Sequence, residues 1–146
     1  MASDRKPASA QRALEPMSAS WLRFDLEDEA RGLWQEEALH AGRNAKTLVK
    51  HPDFRLVLTV LKGNSRIEGH KASGRISIQT VRGHLRMHVS QRDTMQTIDL
   101  PPGHVLALDR GVHHDVEALV DSAFLLTVAW PEGVGRVAAA APSSPA

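Results

Sequence analysis

At 146 residues, with a net charge of +1 and 24% charged residues, the chain has the size of one domain and no broad basic field for a nucleic-acid backbone. It contains no cysteine, which excludes disulfides and thiol chemistry and leaves any metal site to His, Asp, Glu, Gln or water. Residues 1–20 lack a secretory apolar segment and the longest apolar run, 123–130, is too short for a bilayer, so a cytoplasmic protein with no membrane or nucleic-acid partner is expected.

Residues 1–20 and 137–146 are rich in Ala, Ser and Pro with few large apolar side chains, so a disordered N-terminal arm and a disordered tail are expected. A helical segment follows the arm at 21–42. Asp25 is placed to cap a helix over 26–41, Asp28 and Glu29 suit the positive end of its dipole, and Gly42 suits a left-handed stop. Leu26, Ala30, Leu33, Trp34, Ala38 and Ala41 recur at three- and four-residue steps. They make one apolar stripe that packs on the rest of the domain.

From 43 to 136 the pattern changes to short β-type runs separated by turn residues, the spacing of a sandwich or barrel. Strands are expected over 47–50, 54–61, 66–70, 76–81, 85–89, 97–100, 105–108, 115–118 and 123–130. The breaks between them include His51-Pro52-Asp53, Lys62-Gly63-Asn64, Ser73-Gly74, Arg82-Gly83, Pro101-Pro102-Gly103 and Arg110-Gly111, all with residues that set or permit turn dihedrals. The runs 54–61 and 124–130 are largely apolar on both faces. Such strands are covered once by a barrel interior and once by either a helix or a second subunit, and the second option gives an expected homodimer.

The most informative segment is 103–118. Gly103 and Gly111 bracket a short apolar run, and the second glycine turn delivers His114 to the start of a strand that can face a barrel interior. Asp115 and Glu117 stand an odd number of residues from His114, so a regular strand turns them to the opposite face and no acid–base pair follows. Ser65, Ser73 and Ser77 lack a nucleophile-elbow pattern and no glycine-rich phosphate loop is present. No catalytic residue is assigned.

The spacing of Gly103, Gly111 and His114 resembles the second motif of the cupin family, with Asp109 where the motif has proline and Ala118 where it has asparagine. The segment 70–83 resembles the first motif in part: His70 and Gly83 are in register, Ala72 takes the second histidine slot and Ile76 the glutamate slot. The resemblance spans roughly 54–130. It implies a mainly β fold, a double-stranded β-helix or jelly-roll barrel, beside the one N-terminal helix. It also implies an interior pocket that in the family commonly holds iron, manganese, nickel, zinc or copper. His70 and His114 are then the candidate ligands of one divalent transition metal ion, held weakly because two imidazoles leave most of its hydration shell in place.

Counting by twos from the glutamate slot sends Ile76, Ile78 and Thr80 inward as pocket lining and Ser77, Gln79 and Val81 outward; a bulge would bring Gln79 in instead. His84, Arg86 and His88 share the face opposite Leu85, Met87 and Val89. The pattern leaves open which face is interior, and an inward His88 would add a ligand. His113, His40, His51 and His104 are expected at the surface. Three functions follow: a module binding a small molecule, or weakly a metal, in the barrel; a metal-dependent dioxygenase or isomerase acting on a small oxygenated substrate; or a dimeric interaction scaffold.

Overall fold

A computed structural model describes residues 19–130. The expected disordered tail, and all but the last two residues of the expected arm, lie outside them. The described chain forms one α-helix, α1 (Leu26–Leu33), a 3-10 turn at Glu36–Ala38, and nine strands: β1 (Arg43–Lys50), β2 (Phe54–Leu61), β3 (Arg66–Lys71), β4 (Arg75–Arg82), β5 (Leu85–Gln91), β6 (Thr94–Leu100), β7 (Val105–Leu108), β8 (His113–Ala118) and β9 (Ser122–Ala129). They make two antiparallel sheets, ordered β1-β2-β9-β4-β7 and β3-β8-β5-β6. Their inner faces share one interior that includes Val57, Leu61, Ile76, Ile78, Leu85, Met87, Val116 and Phe124, the jelly-roll arrangement expected.

The second face of β2 and β9 is covered by this chain itself. Ala30 and Leu33 of α1 pack with Leu48, Leu58, Val60 and Ala123, joined by Leu22, Phe24, Leu26 and Trp34. The double apolarity of β2 and β9 therefore comes from the helix, and that face requires no second subunit. Asp25 caps α1 as expected, accepting the Asp28 N–H at 3.1 Å. The helix is shorter than the apolar stripe suggested: it stops at Leu33, whose carbonyl accepts Asn44 Nδ2 of β1 at 3.2 Å. Lys46 of β1 meets Glu29 of α1 at 2.7 Å, a second tie between helix and sheet edge. Gly42 does not end the helix. It closes a two-residue turn with Ala41, both at positive φ, in which His40 and Arg43 exchange backbone hydrogen bonds at 2.9 and 3.1 Å.

Two strands, β1 and β6, start well before their expected positions for the same reason. β1 begins at Arg43 and β6 at Thr94, and the added residues lie on sheet edges where exposed and half-buried side chains give no apolar alternation. The β5–β6 turn is Arg92-Asp93, two non-glycine residues at φ +48° and +67°, so it lacks the glycine that marks such a hairpin in a sequence. No helix among the described residues is long and apolar enough to cross a membrane.

Candidate functional site

One end of the interior collects the start of β2, the end of β3, the start of β4, the start of β8 and the end of β9. In β8 the inward residues are His114, Val116 and Ala118, set by the pleat. β3 pairs Ile67 with Val116 and His70 with His114, and the register shifts between those two pairs. His70 stands three positions after Ile67, an odd step, so a regular strand would put them on opposite faces. A bulge at Gly69, φ +73°, restores the same face and brings the His70 ring to 6.2 Å, centroid to centroid, from that of His114.

The bulge is held from outside. Asp115, on the outer face of β8, accepts the Gly69 N–H at 2.7 Å and Arg66 Nη2 at 2.8 Å. Burial raises the Asp115 carboxyl, but the Arg66 and Gly69 hydrogen bonds outweigh it, so its pKa lies below the usual carboxylate range. Asp115 is thus a positioning residue for His70, a role that its spacing from His114 did not disclose. Glu117, two residues on, bonds His88 Nε2 at 2.9 Å on the same outer face, so neither carboxylate serves His114.

His114 is 1% exposed. Its Nδ1 lies 3.0 Å from the Val112 carbonyl, which can only accept, so Nδ1 carries the proton and Nε2 presents a lone pair in the neutral ring. That Nε2 is buried and has no hydrogen-bond partner. Burial pushes the His114 pKa down, partly opposed by the Val112 hydrogen bond, and the neutral form is favoured. With the folded value below that of the unfolded chain, the stability from neutral His114 is fully present above the unfolded pKa, near 6.5, and falls as the pH drops below it. Thermal melts are expected to show a downward limb beginning near that pH, with a slope from this one proton of at most about 1.4 kcal/mol per pH unit. A His114→Leu variant should flatten the limb; a limb of unchanged slope would assign it to other groups.

Ile76, Ile78 and Thr80 all face the interior. Ile76 and Ile78 belong to the packed cluster, and the Thr80 hydroxyl donates to the Leu100 carbonyl at 2.9 Å, so it serves the wall. Gln79 is exposed, in line with the unshifted count. In β5 the buried face is Leu85, Met87 and Val89, which places His88 outside against Glu117 and removes it from the interior. His84 lies on the same outer side, 3.7 Å from Asp99. His40 and His104 are exposed, while His51 and His113 are half-buried.

This donor set does not fit a firmly held divalent ion. Two imidazoles converge, while Ala72 and Ile76, in the slots where the resembled motif carries a nitrogen and a carboxylate, belong to the apolar interior. Among the described residues no group of three His, Asp or Glu side chains is arranged to hold a metal.

Two antiparallel sheets closed round one interior, with a histidine entering it after a glycine turn, define a barrel of the cupin class. The chain has the cupin fold. Solved structures similar to it include a cupin superfamily protein from Desulfitobacterium hafniense, at TM-score 0.62 and 14% identity over 80% of this chain and 99% of that one. A conserved protein of unknown function from Streptococcus pyogenes gives TM-score 0.61 at 19% identity over 82% and 95%. KdgF from Halomonas sp. gives 0.56 at 19% over 68% and 88%. No protein-family model matches the sequence, and no curated protein does.

Proposed function

We propose that the protein binds a small polar molecule at the end of the barrel where His70 and His114 meet. The observation that carries this reading is the buried, unpartnered Nε2 of His114. A buried acceptor without a partner is costly, and a hydroxyl or amide from a ligand satisfies it. The apolar wall at this end, Ile76 included, supplies contact area, and the two imidazoles supply orientation. A metal-dependent dioxygenase or isomerase would need further donors, and an interaction scaffold leaves the orphaned nitrogen unexplained.

The test is NMR with polyols, aldoses and hydroxy acids, following the His114 Hε1 resonance of the protein together with saturation transfer to the ligand. Saturable shifts of Hε1 are expected in the native protein, and saturation transfer is expected to be lost in a folded His114→Ala variant. In parallel, protein prepared without a histidine tag is mixed with Fe2+, Mn2+, Ni2+, Zn2+ or Cu2+ and gel-filtered; retention well below one ion per chain is expected. Retention of one ion per chain that depends on both histidines would replace this reading with a metal site.

A further inference from the structure

Resting on that binding reading, we infer that the molecule taken up carries a carboxylate and that Arg55 anchors it. Arg55, the second residue of β2, is in register with Val128 of β9, which is in turn in register with Ile76 of β4. Both partners belong to the interior cluster, and directly opposed residues of an antiparallel pair share a face, so Arg55 is aimed inward at the barrel end. Its guanidinium carbon lies 5.2 Å from the centroid of the Trp130 ring, which fixes the side chain as a stacked, preorganised cation.

The Arg55 Nε is buried and has no hydrogen-bond partner, and Arg55 takes part in none of the ion pairs among the described residues. Its cross-strand neighbour on β1 is Lys50, so that edge adds like charge rather than an acid. By contrast Arg66, Arg75, Arg82 and Arg86 each hold a carboxylate.

Arg55 and the histidine pair belong to the same end of the molecule. The Trp130 indole N–H donates to Ser73 Oγ at 2.7 Å, and Ser73 lies in the short β3–β4 corner, three residues after His70. Gly111, in the turn that leads to His114, donates its N–H to the Ala72 carbonyl of that corner at 2.9 Å. These two of the three orphaned nitrogens among the described residues, the third being His84 Nε2 on the outer face, are chemically complementary. Arg55 Nε–H is a cationic donor that a carboxylate oxygen matches, while His114 Nε2 is a neutral acceptor that a hydroxyl matches. A small hydroxy acid presents both groups at once; an amine or a fully apolar ligand leaves Arg55 unsatisfied.

The probes are glycolate, malonate and D-glucuronate, each compared with its uncharged amide, in titrations of isotope-labelled protein that follow Arg55 Nε–H, His114 Hε1 and the Trp130 indole N–H. At least one acid is expected to bind about tenfold or more tightly than its amide, shifting Arg55 Nε–H. Arg55→Met, which keeps an apolar stem on Trp130, should remove that preference, and Arg55→Lys should keep part of it; retained dispersion of the amide and core methyl signals shows that each variant remains folded. Acids and amides that bind alike, with affinity lost in His114→Ala but not in Arg55→Met, would overturn the carboxylate inference and leave the binding site standing. Absence of binding by every probe, or binding that moves neither Arg55 nor His114, would overturn both.

Discussion

Asp115→Ala is expected to destabilise the protein by about 2 kcal/mol and to separate His70 from His114. The Asp115 side chain is 10% exposed and accepts two hydrogen bonds, and its removal leaves the Gly69 N–H and the Arg66 guanidinium without that partner. Loss of one member of a buried pair costs about 3–5 kcal/mol. The cost here falls below that range, at about 2 kcal/mol, because the Arg66 side chain is 39% exposed and water takes over part of its solvation. The positional effect matters more for function. Without an acceptor for its N–H the bulge loses its support, and a return to regular pairing would turn His70 to the outer face. Denaturant midpoints and the nuclear Overhauser contact between the two imidazoles measure the two effects separately. Asp115→Asn can still accept the Gly69 N–H and should fall between; an alanine variant with both readouts unchanged would deny Asp115 this role.

Gly83→Ala is the other large effect, at about 3 kcal/mol or more. Gly83 sits at φ +90° in the β4–β5 turn, and a Cβ there would run into Ser122 Oγ and the Asp121 carbonyl and stand 2.7 Å from Ser122 Cα. Ser122 cannot yield easily: it is buried, accepts the His84 N–H at 3.0 Å and donates to the Val120 carbonyl at 2.7 Å. Gly69→Ala provides the contrast. Its φ of +73° is also left-handed, but a Cβ would meet nothing within 4 Å, so the cost is backbone strain alone, about 1–2 kcal/mol. Equal losses in the two variants would show that contact with Ser122 is not what makes the Gly83 site strict.

Much of the barrel was legible because apolar alternation and turn chemistry agree along the chain. β2 and β7 begin and end where the pattern places them, and β4, β5, β8 and β9 differ by no more than two residues at either end. The misplaced elements share a cause. In α1 the apolar stripe continued past Leu33, but the carbonyl that ends the helix is satisfied by Asn44 from a strand eleven residues later, a partner that no local window contains. The Arg92-Asp93 turn carries no glycine, and the edge residues of β6 carry no apolar signal. In the site, His114 was legible from Gly111 and the strand that follows. Gly69 inside a strand run is a recognisable sign of a bulge, yet its consequence for His70 depends on which residue opposes it.

Sequence alone determined that this chain makes an antiparallel barrel with a histidine delivered to its interior, because strand period and glycine-dependent dihedrals are properties of short segments. Only the tertiary structure decided that His88 faces outward to Glu117, that Asp115 holds the bulge beneath His70, and that Arg55 shares the barrel end with His114. Those facts are set by cross-strand register and by which face of each sheet is covered, and both arise from contacts between segments far apart in the chain.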